Sequence, residues 1–313
     1  MRARPIALTA LLSLALPLAG CDGGGAPGAA AGPPALTREQ ARAALDRYQA
    51  AANQAGQRLD ARPLNDAATG SQLAMEIASL LLHRASRSRW RPFALESPTF
   101  YIPRLSGHPR WFAASATTGP GQERLRHALL FVQDAPNGPW RVTADPYPAG
   151  EALRDVALDE QGYATAVPAP GRVGEAHAAV LSGAAVPAGA VAMADGPQTG
   201  QAYTALGKAQ EQFRQAGVTL TSRFTPTRLP AYALRTKSGG TLVWYVLQQH
   251  ETYRAARPGR ITVAGDLTGL ARQRNVRTRL DTTVFVQYLT AVPRKGPALV
   301  VGAHRKAVRA VGS

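Results

Sequence analysis

Apolar and polar positions follow different periods in different parts of the chain. Residues 5–18, within "MRARPIALTALLSLALPLAGC", are almost continuously apolar, whereas residues 22–35, "DGGGAPGAAAGPPA", have no period at all. Thr37 with Gln40 three residues later then forms a capping-box pattern. Apolar residues follow at Ala41, Ala44, Leu45, Tyr48, Ala52, Ala55 and Leu59, the spacing of one helix face, so a helix is predicted over 37–59. "MEIASLLLHRA" reads as a second helix. The next runs, "SPTFYIPRLSG", "RWFAASATTG", "RHALLFVQDA" and "WRVTADPY", read as strands separated by Ser-Gly, Gly-Pro and Asn-Gly turn signals. Pro98 and Pro103 mark the first of them as an edge or bulged strand.

The scheme then recurs. A Pro-flanked, acidic stretch around 149–170 reads as a connection. Beyond it come a weak helix near 173–181 and a stronger one carried by Ala202, Leu206, Ala209, Phe213 and Ala216, with Gly217 placed to end it. Val218, Leu220 and Phe224 alternate as in a strand. Pro98, Phe100, Ser106, Gly107 and Phe112 match Pro230, Tyr232, Ser238, Gly239 and Trp244 at a constant offset of 132. "FVQ" at 131–133 returns at 285–287, each copy followed by a Gly-Pro pair, with "ITVAGDLTGLARQRNVRTRL" inserted in the second half. This self-similarity points to an internal duplication. The expected architecture is α+β: a first domain over 36–148, a linker over 149–170 and a second domain over 171–313, each a helix packed on an antiparallel meander. Such a unit resembles the cystatin-like and nuclear-transport-factor-like folds, which imply a curved sheet and often a cone-shaped pocket.

The N-terminal run, with Arg2 and Arg4 before it, is a secretory signal peptide over 1–20, too short for an ordinary membrane span. Leu18, Ala19, Gly20 and Cys21 resemble the bacterial lipobox. That resemblance implies cleavage before Cys21, a diacylglyceryl group on its sulfur and anchoring at the extracytoplasmic face of the cell membrane, with residues 21–35 as a flexible tether. Cys21 is the only cysteine in the chain. Its use as the lipid site leaves none for a disulfide or a thiolate, so the core must suffice for stability. The lipobox, the Ala/Arg-rich composition and "LTREQARAALDRYQAAANQAG" together resemble uncharacterised lipoproteins of high-GC actinobacteria, a family that implies an address and no activity.

Charge separates the halves. The whole chain carries 36 Lys and Arg against 20 Asp and Glu, a net +16 that becomes +14 without Arg2 and Arg4. Residues 21–200 hold 16 basic and 16 acidic residues, and residues 201–313 hold 18 basic and four acidic. Arg272, Arg274, Arg277 and Arg279, with Arg305, Lys306 and Arg309, form the candidate anion-binding set, and anionic lipid or a wall polymer would be its partner. Nucleic acid is not an expected partner outside the membrane. A GC-rich codon bias accounts for arginine over lysine but not for the missing acids.

The sequence carries no nucleophile elbow, Walker loop, dinucleotide fingerprint or His-Glu-x-x-His run. The six histidines, His83, His108, His127, His177, His250 and His304, are scattered, so neither a local metal motif nor a cofactor site is expected. In "LVWYVLQQHETYR", Trp244, Gln248 and His250 share a strand face. They make a candidate pocket, or else the polar end of a strand running into solvent. The aromatic residues Trp244, Tyr245, Tyr253, Phe285 and Tyr288 read as core or as ligand stack, and Asp145, Asp159 and Glu160 are acids without partners at any diagnostic spacing. Two expectations follow: a non-enzymatic envelope module binding polyanions or a protein partner, or a small-molecule or enzymatic pocket in one α+β domain.

Overall fold

The computed structural model describes residues 32–119, 124–259 and 261–313. Its first helix, α1 (Arg38–Arg58), starts at the expected capping box. The Thr37 hydroxyl accepts from the Gln40 N–H at 3.2 Å, and the Gln40 side chain accepts from the Thr37 N–H at 2.8 Å. Ala41, Ala44, Leu45, Tyr48, Ala52 and Ala55 are its buried face. α2 (Gly70–Ser86) follows, then β1 (Leu95–Tyr101), β2 (Arg110–Thr118), β3 (Arg126–Gln133) and β4 (Arg141–Ala144), paired antiparallel in chain order as one sheet. β1 is an edge strand with a bulge between Glu96 and Thr99, where the sequence places Pro98.

The second half repeats this plan at larger scale. α3 (Val173–Ser182) and α4 (Gly200–Gln215) precede β6 (Val218–Pro226), β7 (Tyr232–Arg235), β8 (Thr241–Ala255), β11 (Arg279–Val292) and β12 (Leu299–Gly312). Their sheet runs β6-β8-β11-β12, with β7 beside β8 and the two-residue β5 (Tyr147–Pro148) on β12. β9 (Ile261–Thr262) and β10 (Asn275–Val276) form a small ribbon within the inserted segment. The matched Ser-Gly pairs occupy equivalent turns before β2 and β8, where Gly107 and Gly239 share a left-handed φ of 79° that favours glycine.

Four layers result. Phe112, Leu129 and Phe131 point from the first sheet to α1, while Trp111, Leu130 and Val132 point the opposite way, into a core shared with Leu234, Leu242, Trp244 and Leu289 of the second sheet. Val243, Tyr245, Leu247, Val284 and Val286 then face α3 through Val173 and Leu181. β3 is therefore covered on both faces, which is why "ALLFV" within it is an unbroken apolar run.

Two expected boundaries differ from this arrangement. The stretch 149–170, expected as a linker, is packed instead: Leu153, Val156 and Ala164 are buried in the inter-sheet core. Its backbone is also laced to the edge of β7, with the Ala157 and Val167 N–H groups donating to Arg235 and Ala233 and the Arg235 N–H donating to Thr165. Residues 33–35, expected in the tether, lie along the chain after β1. There the Ala35 N–H donates to Pro103 and the Leu105 N–H to Pro33, and Ala35 is buried. Residues Gly32–Ser313 form one compact α+β unit. The expected signal segment 1–20, Cys21 and the rest of the expected tether lie outside the described residues. No helix among the described residues is long and apolar enough to cross a membrane.

Candidate functional site

A group of polar residues lines one cavity of about 230 Å³, walled by α1, α2, the strand ends of the first sheet and β12. α2 supplies Gln72, Glu76, Ser79 and His83, which recur at helical spacing and so share one face of an otherwise apolar helix. Trp90 closes one side. Its indole lies so close to Gly56 that a Cβ there would sit 2.1 Å from the ring, so the close packing of α1 on Trp90 requires glycine. β12 supplies His304 and Lys306, which point to the same face because they are two residues apart.

A continuous hydrogen-bond chain supports the wall. The Thr118 hydroxyl lies 3.1 Å from His127 Nε2, and His127 Nδ1–H donates to Asp145 Oδ2 at 2.8 Å. The Asp145 N–H donates to the Gln287 side chain at 2.8 Å, and Gln287 Nε2 donates to Ser71 Oγ and Gln72 Oε1, both at 3.1 Å. Gln72 Nε2 donates to Glu76 Oε1 at 3.0 Å, and the Tyr48 hydroxyl donates to the same oxygen at 2.7 Å. Gln287 is fully buried and belongs to the second half, so this network ties β11 to α2 and to the residue that follows β4. Tyr147 stacks on His304 with ring centroids 4.3 Å apart and meets His127 edge-on at 5.2 Å.

Charge in the cavity is set by burial against pairing. Desolvation raises the Glu76 carboxyl above its ordinary range despite the bonds from Tyr48 and Gln72. For His127 burial works against protonation, but the Asp145 carboxylate beside it prevails and raises the imidazole. Burial lowers His304 to about 4 and pushes the Tyr48 and Tyr147 phenols well above their usual values. Six buried side-chain polar atoms lack a hydrogen-bond partner among the described residues. Three of them, Asp145 Oδ1, His304 Nδ1 and Trp90 Nε1, belong to residues of this one cavity. No group of three or more His, Cys, Asp or Glu among the described residues is arranged to hold a metal ion.

The residues singled out from sequence are dispersed. Trp244 is buried between the sheets and donates its indole N–H to the Ala128 carbonyl at 2.8 Å. Gln248 and His250 bond to each other at 2.7 Å farther along β8, where His250 is exposed. The three form no common pocket, because the strand face that is covered at Trp244 is open at His250. Tyr245 and Tyr288 are core. Tyr253 donates to Glu251, and Phe285 is half-buried.

Of the basic set, Arg305 is held by Glu251 at 3.1 Å and lies 3.6 Å from Asp266, and Arg279 pairs with Asp281 at 2.7 Å. Arg272, Arg274, Arg277 and Arg309 are exposed and make no ion pair among the described residues. Lys306 lines the cavity. Asp159 pairs with Arg104 at 3.0 Å.

His177 lies on the buried face of α3, away from this cavity. A carbonyl can only accept, so Nε2–H donates to the Gln198 oxygen at 2.6 Å while Nδ1 accepts from the Tyr245 hydroxyl at 2.8 Å. Burial lowers its pKa to about 4 from 6.5. The folded state therefore binds fewer protons than the unfolded one between these values. The stability His177 contributes is complete above pH 6.5 and is lost as pH falls from 6.5 toward 4. Lowering pH from 7 to 5 is expected to cost about 2 kcal/mol through His177 alone. Urea midpoints at the two pH values measure this. His177→Gln should flatten part of the dependence, and an unchanged slope in that variant would refute the assignment.

Residues 33–312 match the family model described as a domain of unknown function, DUF8094. The chain belongs to the DUF8094 family. The match begins next to the first described residue and spans both halves, so the family domain and the compact unit coincide. An uncharacterized lipoprotein of Streptomyces coelicolor is 30% identical over 293 residues, covering 86% of this chain and 80% of the relative. A second from the same organism is 29% identical over 238 residues, covering 72% and 70%. An uncharacterized lipoprotein of Streptomyces avermitilis is 28% identical over 246 residues, covering 74% and 71%. No solved structure matches the chain.

Proposed function

We propose that this DUF8094 protein is a lipoprotein anchored through Cys21 at the extracytoplasmic face of the membrane, whose folded body binds a small polar molecule in the cavity between its halves. Three residues that line that cavity, Asp145, His304 and Trp90, each hold a buried polar atom without a partner, and this carries the reading, since such atoms are costly and ligand sites are where such groups gather. The lipobox and the lipoprotein names of its relatives support the anchor. The equal strand order and the paired Gly107 and Gly239 turns support a duplication of one cystatin-like or nuclear-transport-factor-like unit.

The test is thermal melting of the full-length protein in detergent with a low-molecular-weight extract of the cell envelope. A rise of a few degrees is expected for the native chain. Ser79→Trp, which fills the cavity from α2, should not respond. No rise, or equal rises in both proteins, would overturn the reading.

A second reading rests on Arg272, Arg274 and Arg277. All four acidic residues of the second half are engaged with arginines, Glu211 with Arg214, Glu251 and Asp266 with Arg305, and Asp281 with Arg279. The three insert arginines are thus left to contact anionic lipid or wall polymer.

A further inference from the structure

Two charges in the cavity have no ion-pair partner among the described residues. Glu76 receives Tyr48 and Gln72 on Oε1 alone, and neither Glu76 nor Lys306 forms an ion pair among the described residues. They nonetheless sense each other, because Lys306 acts to lower the Glu76 carboxyl while desolvation raises it. The two groups therefore line one cavity from different elements, α2 and β12, without touching. Asp145 is different, since His127 neutralises it at 2.8 Å. The remaining demand is for one cation near α2 and one anion near β12. Beside Lys306 on the same strand face, His304 also lines the cavity, and its Nδ1 has no hydrogen-bond partner among the described residues.

We infer that the cavity is a zwitterion site: the ammonium of an amino acid or short peptide pairs with Glu76, and its carboxylate pairs with Lys306 and His304. This rests on the small-molecule reading above and names its ligand class. A neutral sugar would leave both charges unpaired in a partly desolvated space, and a simple amine or carboxylate would leave one. A ligand carrying both signs turns two unpaired charges into two charge-assisted hydrogen-bonded pairs. The walls provided by Met75, Phe93 and Leu95 add apolar surface for a side chain.

Calorimetric titration of the full-length protein in detergent tests this with L-leucine, glycine and L-glutamine as probes. 3-Methylbutylamine and 4-methylpentanoate serve as leucine lacking one charge each. At least one of the three amino acids should bind, with leucine at least about tenfold tighter than either of its analogues if leucine is the binder. Glu76→Gln and Lys306→Met, checked for an unchanged melting temperature, should each weaken that binding by a similar factor. Binding of an analogue as tight as leucine, or insensitivity to both substitutions, would overturn the zwitterion assignment. So would silence from all three amino acids. A native chain that still responds to the envelope extract would then keep the cavity reading standing, and a chain that responds to neither would end both.

Discussion

Trp244→Ala lowers the stability of both halves together, by about 3–5 kcal/mol. Trp244 is 1% exposed, and its ring fills the core between the two sheets, among Leu130 and Trp111 of the first half and Leu234 and Leu289 of the second. Truncation leaves a cavity that neither sheet can close, because each is pinned by helices on its outer face. It also strands the Ala128 carbonyl, which the indole N–H serves at 2.8 Å. The readout follows from where the other tryptophans lie. Trp90, Trp111 and Trp140 all belong to the first half, but Trp111 meets Tyr232 in the shared core, so in a Trp111→Phe background the fluorescence of the Trp244→Ala protein reports the first half through Trp90 and Trp140 while the substitution sits in the second. A fluorescence midpoint in urea that falls with the circular dichroism midpoint shows one cooperative body. A fluorescence midpoint left where it was, with a separate earlier transition by circular dichroism, would show two independent domains. Trp244→Phe, which keeps most of the volume, should lose only the smaller part owed to the hydrogen bond, about 1–3 kcal/mol.

The parts of this fold that sequence exposes are those where local chemistry decides. Thr37 and Gln40 cap α1 because the bonds they make span three residues, and β1 lies at an edge because Pro98 has no N–H to give a neighbour. The sandwiching of two sheets is also written, in the unbroken apolar run Leu129–Val132, but a run of that kind says only that both faces are covered and not by what. The stretch 149–170 misleads because its prolines and acids suit a surface connection. Three of its apolar residues, Leu153, Val156 and Ala164, are what the inter-sheet core takes up, and no period relates them.

Along β8 the alternation correctly gives Trp244, Gln248 and His250 one face. Parity fixes the side of the sheet and cannot say where along 15 residues the cover ends. The same parity separates Arg305, drawn to Glu251, from Lys306, which lines the cavity. The site itself joins α1, α2, two strand ends and β12, with Gln287 reaching Gln72 across 215 positions, a contact that no motif spacing encodes. Its one legible trace is the stripe Gln72, Glu76, Ser79 and His83 on α2, four polar residues at helical spacing on a helix whose other buried positions are mostly small or apolar.

Cys21→Ser takes the protein off the membrane. In the lipobox reading the sulfur carries a diacylglyceryl group through a thioether that a serine oxygen does not form. Each buried methylene contributes about 0.8 kcal/mol, so two acyl chains hold a protein where one would exchange freely. Fatty-acid labelling and detergent phase partition check this: the native chain is labelled and enters the detergent phase, and the Cys21→Ser chain does neither. Equal labelling of the two would remove Cys21 as the lipid site. The unanchored chain then isolates the weaker contact. With the lipid gone, binding to vesicles containing anionic lipid depends on the exposed arginines, each worth about 1 kcal/mol near such a surface. Replacing Arg272, Arg274 and Arg277 by Gln should therefore weaken it about a hundredfold. Arg305 and Arg279 are the internal control, because their charges are already taken by Glu251 and Asp281 and their loss should change vesicle binding far less. Raising salt acts on the same Coulomb attraction and should reproduce the triple substitution in the otherwise native body. Vesicle binding indifferent to salt and to all three arginines would leave the lipid as the protein's sole hold on the membrane.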